Sequence, residues 1–422
     1  MSGGVALLLR RAGFGPTAAE LAAAKGAGYE ATVKALFQPA APDVGASATP
    51  IPSLPRDPYS GLTNPSAQQR ARADRAREEQ TAQLTRWWLD RLTAADHQAR
   101  EKLIWFWHGH WATSIRKVIR PTLMLRQHRT LRESEDFRAM AHAMVRDPAL
   151  IYWLDGQLND RQAANENLGR ELMELFLLGI GSYTERDVKE AGRALTGWKI
   201  EYDDVRARLS STAHDPRRKT ILGVSRAFDA DSLVDFLLGR DECPRFIAAR
   251  LWHRYGASEE PIPAATSAAV AAKFPDPAAM LAALFLDDAF QASAGKQVKQ
   301  PVEWLVGAAR QLGLRPGNWD EETLQKVLYS LDRLGQVPFA PPSVGGWPSG
   351  GSWLTPGTAQ VRVGVADRLA SMVQVGALTP ESLAGLLGVE TWTDRTYTAL
   401  KGVSDVRRLL TLGLVSPEYL VT

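Results

Sequence analysis

Cysteine is almost absent from this chain of 422 residues, which contains Cys243 alone. A single cysteine excludes an intramolecular disulfide framework and a cysteine-based zinc cluster. Any bound metal must therefore be held by nitrogen and oxygen ligands. The chain also lacks an excess of charge, since 50 Lys and Arg residues face 47 Asp and Glu residues and the formal net charge is +3. This balance predicts no nucleic-acid partner, so an anionic ligand has to be met by a local site.

Long apolar runs are missing as well. No stretch approaches the roughly 18 to 20 apolar residues that span a bilayer, and the apolar segment at 175–181 is preceded by Glu171 and Glu174. The apolar run at 5–9 is too short for the core of a signal peptide, and arginines follow it. The sequence therefore predicts a soluble, cytoplasmic protein with no membrane span.

The common catalytic signatures are also absent. The sequence has no Gly-x-Ser-x-Gly elbow, no Walker loop, no His-Glu-x-x-His and no dinucleotide fingerprint after a strand. The usual nucleophile and nucleotide-binding classes are thus disfavoured.

Clean two-residue alternation is scarce, and apolar positions recur mostly at helical spacing, which predicts a mainly α protein. The predicted helices are 17–37, 67–92, 99–114, 120–132, 134–146, 165–178, 184–196, 231–240 and 244–255. A small β-hairpin is predicted near 198–211, around the turn signal Asp203-Asp204, and a Pro- and Gly-rich loop near 337–357. We expect one large helical domain over 1–422, with a surface linker at 38–66, a hairpin and loop insertion at 198–223, and a C-terminal helical subregion at 358–422.

The most informative segment is NENLGRELMELFLLG at 165–179. On a helical wheel, Asn167, Glu171 and Glu174 lie at i, i+4 and i+7 on one stripe, with Arg170 beside them. Three oxygen-bearing side chains on one stripe predict half of a metal site or of an acid/base pair. A buried ion network with a purely structural role is the alternative.

A second segment, WFWHGHW at 105–111, places His108 and His110 two residues apart. In a strand, or in a helix broken at Gly109, both imidazoles would face one point. In a regular helix they would diverge by about 200°. The two histidines are therefore either metal ligands or residues hydrogen-bonded inside an aromatic core.

Two further segments carry candidate residues. In HDPRRK at 214–219, His214 is a candidate ligand or proton shuttle, and Arg217 a candidate contact for an anionic substrate group. In the loop at 337–357, Trp347 and Trp353 are candidates for lining a sugar or aromatic pocket, or for pinning the loop to the core.

Five segments together resemble the bacterial domain-of-unknown-function 1800 family, over essentially the whole chain. They are LLRRAGFG at 8–15, FWHGHW at 106–111, the long motif from NENLGRELMELF to ALTGW at 165–198, HDPRRKTILG at 214–223 and PPSVGGWPSGGSWLTPG at 341–357. The resemblance implies no assigned activity, substrate or cofactor. Members often carry an export signal, so the absence of one here implies either a cytoplasmic protein or a chain whose leader has been removed. Gly109 stands where members commonly have Asn. Members are often encoded beside an alkaline-phosphatase-like protein, which implies a partner of that type.

The leading hypothesis from the residues is a metal-dependent enzyme, hydrolytic or oxidative, acting on a small molecule or glycan. Zn, Mn or Fe would be the metal. Its predicted ligands are His108, His110, Glu171, Glu174 and His214. Glu171, His214 and Arg170 are the predicted catalytic residues, and Asn167, Trp347, Trp353 and Arg217 are predicted to bind substrate. The alternatives are a non-catalytic scaffold with a buried polar network and a metal-free acid/base enzyme in which Glu171 and His214 act together.

Overall fold

Helices make up most of the chain in this computed structural model, which describes residues 3–422. These residues form 24 α-helices, numbered α1 to α24 in chain order. Their bounds are Gly3–Ala12, Ala18–Ala27, Tyr29–Phe37, Val44–Ser47, Ala67–Ala94, Gln98–His110, Ile115–Val118, Pro121–Glu133, Phe137–Met144, Pro148–Trp153, Asn167–Glu171, Glu185–Ala194, Ala230–Leu238, Glu242–Tyr255, Ala264–Ala271, Pro277–Leu286, Asp288–Gln291, Pro301–Gln311, Glu321–Arg333, Pro356–Ser371, Pro380–Leu387, Asp394–Leu400, Val406–Leu414 and Pro417–Leu420. The predicted mainly α fold is confirmed.

Local signals explain where several helices begin and end. The long helix α5 begins after Ser66, which forms a reciprocal capping box with Gln69. The helix predicted over 17–37 is instead two helices, α2 and α3, because Gly28 breaks it with a φ of +90°. Glycine adopts such a backbone conformation without a side-chain clash.

Two β-hairpins follow α12. Strands β1 (Trp198–Glu201) and β2 (Arg206–Leu209) are antiparallel, with Trp198 opposite Leu209, which confirms the hairpin predicted from the sequence. Strands β3 (Lys219–Ile221) and β4 (Val224–Arg226) form a second hairpin that periodicity did not reveal, because three residues per strand are too few to show alternation.

The buried apolar side chains form two large clusters, and helix α6 contributes to both. Phe106 and Trp107 belong to a cluster that also includes residues of α14. Ile104 and Trp105 belong to a second cluster that includes residues of α5 and α18. At about 100° per residue, Ile104 and Trp105 lie on one half of α6 and Phe106 and Trp107 on the other, so this helix joins the two clusters and its aromatic motif lies between them.

The predicted linker at 38–66 includes the short helix α4 and is fastened to α5. The indole Nε1 of Trp87 and the guanidinium of Arg91 both donate to the carbonyl oxygen of Thr49, at 3.1 and 2.7 Å. Within residues 3–422, no helix combines the length and the apolar character needed to cross a membrane.

Candidate functional site

The segment at 165–179 contains two kinds of helix. Residues Asn167–Glu171 form the α-helix α11, and Leu172–Leu177 continue it as a π-helix. The N–H of Leu178 accordingly bonds to the carbonyl oxygen of Met173 at 2.9 Å, five residues back. The prediction of one regular helix was therefore wrong for the second half of this segment. π-Helical turns are rare and frequently occur at functional sites.

His110, the last residue of α6, is hydrogen-bonded to this π-helix. Its Nε2 lies 3.0 Å from the carbonyl oxygen of Phe176, which is free because the last carbonyls of a helix have no partner within it. Nε2 therefore carries the proton and donates, and Nδ1 is the unprotonated nitrogen. Within residues 3–422 this Nδ1 has no hydrogen-bond partner. Burial, together with the charge of Arg250, lowers the pKa of His110 to about 3, so its imidazole is neutral.

A cavity of about 560 Å³, which we call the main cavity, is bordered by the π-helix, α14 and residues of the Gly-rich loop. This volume is within the range of small-molecule sites. Its polar lining includes His110, Glu174, Glu242, Arg245 and Arg250. Its apolar lining includes Leu175, Leu178, Phe246 and Val344. Charged and apolar side chains thus meet in one space large enough for a small molecule.

Glu174 is the acidic residue of the π-helix that lines the main cavity. Its Oε2 accepts a hydrogen bond of 2.7 Å from the hydroxyl of Tyr183. Burial and this bond raise the pKa of Tyr183, which therefore stays protonated and continues to donate. Glu171 is half-buried, and burial and the charge of Glu174 raise the pKa of its carboxyl group. Of these two carboxylates, Glu174 is the one that lines the main cavity.

A narrower space of about 70 Å³, which we call the recess, shares His110, Arg250 and Gly345 with the main cavity. Trp105 and Trp347 line it, with ring centroids 4.9 Å apart and ring planes 12° from parallel. The ionisable side chains of its lining are basic or imidazole groups, namely His110, Arg250, His253 and Arg254. The described lining of the recess contains no carboxylate.

Arg250 differs from its neighbour Arg254 in having no counter-charge. Arg254 forms an ion pair of 2.5 Å with the buried Glu303. Arg250 forms no ion pair with any residue of 3–422, and its buried Nε has no hydrogen-bond partner there. Burial lowers the pKa of Arg250, because the charged form of a desolvated guanidinium without a partner is unfavourable.

The loop at 343–351 closes one side of both spaces. Gly346 has a φ of +86° and lies directly against the carbonyl oxygen of Gly109, where a Cβ would not fit. The N–H of Gly351 donates to the carboxylate of Glu259 at 2.9 Å. These contacts hold Trp347 over Trp105, so the glycines of this loop position an aromatic wall.

His108 and His110 do not face one point, because α6 is regular through both residues. His108 packs edge-on to Trp88, with centroids 4.9 Å apart, and lies 5.5 Å from the Trp347 ring. Burial lowers its pKa to about 3. His108 thus lies among the aromatic residues of the second cluster, and His110 is the histidine of this pair that lines the main cavity and the recess.

The segment at 214–219 lies by the first hairpin and lines neither space. His214 Nδ1 is 3.0 Å from the carbonyl oxygen of Thr196, and Arg217 pairs with Asp215 at 2.8 Å. Arg193 also pairs with Asp215, at 2.9 Å. The guanidinium of Arg217 holds the pKa of Asp215 well below its usual range. Arg217 is thus already paired with a protein carboxylate, and Arg218 and Lys219 donate to backbone carbonyl oxygens.

Three other predicted site residues also lie outside the two linings. Arg170 is paired with Glu185 at 2.7 Å. Asn167 is exposed at the start of α11. Trp353 is 2% exposed, and its carbonyl oxygen accepts a bond of 2.6 Å from Arg362, so it fixes the loop to the core. Trp347, by contrast, lines the recess.

The five predicted metal ligands are not assembled. His110 and Glu174 share the main cavity, and Glu171 lies beside Glu174. Among residues 3–422, however, no three His, Cys, Asp or Glu side chains are placed so that they could hold a metal ion. Protein metal sites of the predicted type use at least three such ligands, so the described residues do not fit the predicted centre.

Helix α14 supplies lining residues that were not among the candidates from the sequence. Glu242, Arg245, Arg250 and His253 all line one of the two spaces. Their spacing follows one face of a helix whose other face carries buried Cys243, Ile247 and Leu251. Polar residues repeated at this spacing in an otherwise apolar helix are the signal that identifies them.

The fold and site define a mainly helical protein with a charged cavity next to a tryptophan-lined recess. The chain belongs to the family described as Protein of unknown function (DUF1800), whose model matches residues 7–421. No curated protein and no solved structure matches the chain.

Proposed function

We propose that this protein is an acid/base enzyme that acts on a small molecule in the main cavity, with Glu174 as the general base. One observation carries the proposal: a carboxylate and a neutral histidine of fixed tautomer line the same cavity. General acid/base chemistry needs groups of this kind within reach of one substrate.

The contacts assign different roles to the two groups. Tyr183 donates to Oε2 of Glu174, which orients the carboxylate and leaves Oε1 to accept a proton from the substrate. His110 has a pKa of about 3 and is too weak a base near neutral pH, so its Nδ1 is assigned as a hydrogen-bond acceptor for a substrate donor. The apolar side chains Leu175, Leu178 and Phe246 limit the water around Glu174.

The chemistry is that of the metal-free alternative drawn from the sequence, but the residues that carry it are different. There, Glu171 and His214 were the acid/base pair, whereas the cavity is lined by Glu174 and His110. The metal-dependent version stays a prediction, and its weakness is the missing third ligand. A structural network alone does not require a cavity of about 560 Å³ beside the π-helix.

The test compares the wild type with Glu174→Gln, which keeps the shape of the side chain and removes the base. Each protein is incubated with a metabolite extract, and consumed and formed compounds are measured by mass spectrometry. We expect turnover by the wild type and a loss of about 100-fold or more in Glu174→Gln, within the usual contribution of a general base.

The matched control is Glu166→Gln, since Glu166 pairs with Arg170 at 3.3 Å and does not line the cavity. It should turn over the same compounds at the wild-type rate. Turnover that persists in folded Glu174→Gln would show that Glu174 is not the base.

A further inference from the structure

The polarity of the two adjoining spaces points to a class of ligand. The recess has basic and aromatic lining, whereas the main cavity adds an apolar wall. At about 70 Å³ the recess has room for a compact group, and the main cavity has room for a larger body. Arg250 lines both spaces.

We propose that the ligand is an amphipathic organic anion whose carboxylate or phosphate group enters the recess at Arg250, while its apolar body lies against Leu178 and Phe246. This inference rests on the proposed function in that it names the substrate class for the same site.

The unpaired charge of Arg250 is the main argument. Among the described residues, the nearby acids have other partners: Glu303 pairs with Lys102 at 2.6 Å and with Arg254 at 2.5 Å, and Glu242 pairs with Arg240 at 3.3 Å. Glu174, which lines the main cavity with Arg250, accepts from the hydroxyl of Tyr183 at 2.7 Å and forms no ion pair with Arg250. A partly desolvated guanidinium without a protein partner is expected to be satisfied by a ligand. Its planar set of donors suits both carboxylate and phosphate groups.

The aromatic wall supports the same assignment. Trp347 and Trp105 stack beside the recess, and the indole Nε1 of Trp347 has no hydrogen-bond partner in residues 3–422. A tryptophan wall beside an arginine accommodates an anionic group joined to an apolar body better than it accommodates a hydrated inorganic ion.

The experiment uses four probes in ¹⁹F or ³¹P NMR titrations of the full chain: 4-fluorobenzoate, 4-fluorobenzamide, 4-fluorophenyl phosphate and inorganic phosphate. The benzoate and the benzamide share a ring and differ in charge. We expect an aryl anion to bind at least about 10-fold more tightly than the benzamide, since a hydrogen bond to a charged group contributes that much or more. The benzoate and the aryl phosphate distinguish the two anionic groups.

Variants at Arg250 locate the binding. In Arg250→Gln the preference for the anion over the benzamide should disappear, and in Arg250→Lys part of it should remain, because lysine keeps the charge without the planar fork. Arg333→Gln, which removes an exposed charge away from the site, should bind as the wild type does. If Arg250→Gln does not fold, Arg250→Lys still tests whether anion binding depends on Arg250.

Equal binding of benzoate and benzamide by the wild type, or tight anion binding that survives in Arg250→Gln, would overturn the inference. Binding of inorganic phosphate as tight as that of the aryl anions would overturn the role of the apolar body. The Glu174→Gln variant separates the two proposals. If probe binding depends on Arg250 but turnover is unchanged in Glu174→Gln, the acid/base proposal alone is wrong. If turnover depends on Glu174 but probe binding does not depend on Arg250, the proposed ligand class alone is wrong.

Discussion

The buried carboxylate of Glu303 ties together the helices that border the site, and its removal gives the sharpest stability prediction. Glu303 is 3% exposed on α18. It pairs with Lys102 of α6 at 2.6 Å and with Arg254 of α14 at 2.5 Å, and Oε2 accepts the N–H of Gln300 at 3.0 Å. Glu303→Gln keeps the size of the side chain but leaves two buried cations without their counter-charge.

The pKa of Glu303 shows the direction of this effect. Burial acts to raise the pKa, but the two cations outweigh burial and lower it from 4.5 to about 2, so the fold stabilises the charged carboxylate. Loss of one partner from a buried ion pair costs about 3 to 5 kcal/mol in other proteins. We therefore expect Glu303→Gln to lower the free energy of unfolding by about 3 kcal/mol at pH 7.

The dependence on pH follows from the direction of the shift. The pKa of Glu303 is lower in the folded protein than in the unfolded chain. Its contribution to the free energy of unfolding is therefore complete above pH 4.5 and is lost as the pH falls toward 2. The stability difference between wild type and variant should therefore shrink over this interval. Urea unfolding followed by circular dichroism at several pH values measures it.

The control for this prediction is Glu322→Gln, whose carboxylate pairs with Lys326 at the surface and whose side chain is 77% exposed. Exposed pairs contribute little, so this variant should unfold like the wild type. Equal stability of Glu303→Gln and wild type at pH 7 would refute the reasoning.

Two further predictions concern the loop and the metal. Gly346→Ala should cost about 2 to 4 kcal/mol, because a Cβ at a φ of +86° is strained, overlaps the carbonyl oxygen of Gly109 and separates Trp347 from Trp105. Thermal unfolding measures this, and Gly364→Ala, a helical position with open space around it, should instead be neutral or stabilising. Because no third ligand joins His110 and Glu174, we expect treatment with a chelator to leave the melting temperature unchanged. A stoichiometric transition metal, found by mass spectrometry in the wild type and lost in Glu174→Gln, would contradict that expectation.

Much of the secondary structure was predictable because its signals are local. Helix α5 begins where Ser66 and Gln69 form a capping box, and the hairpin β1–β2 turns around Asp203 and Asp204. The break at Gly28 also has a local cause, a positive φ, but periodicity alone does not reveal it. Patterns of three to seven neighbouring residues are sufficient to predict helix starts and hairpin turns of this kind.

The candidate site was predictable in part. Glu174, His110 and Trp347 were selected from the sequence and do line the two spaces. His214 and Arg217 had equally suggestive neighbours in the sequence, yet Thr196 and Asp215 bind them elsewhere in the fold. A segment rich in ligand-type residues does not reveal whether the protein itself already satisfies them.

The helical class, the first hairpin and the family follow from the amino-acid sequence alone, because spacing, capping and motif residues are properties of short segments. Tertiary packing formed the candidate site. It separated His108 from His110 into two aromatic environments, widened the helix at Leu172–Leu177 into a π-helix and left Arg250 without a partner. Each of these depends on which distant residues pack against a segment, and burial and charge pairing between distant residues have no signature within one stretch of sequence.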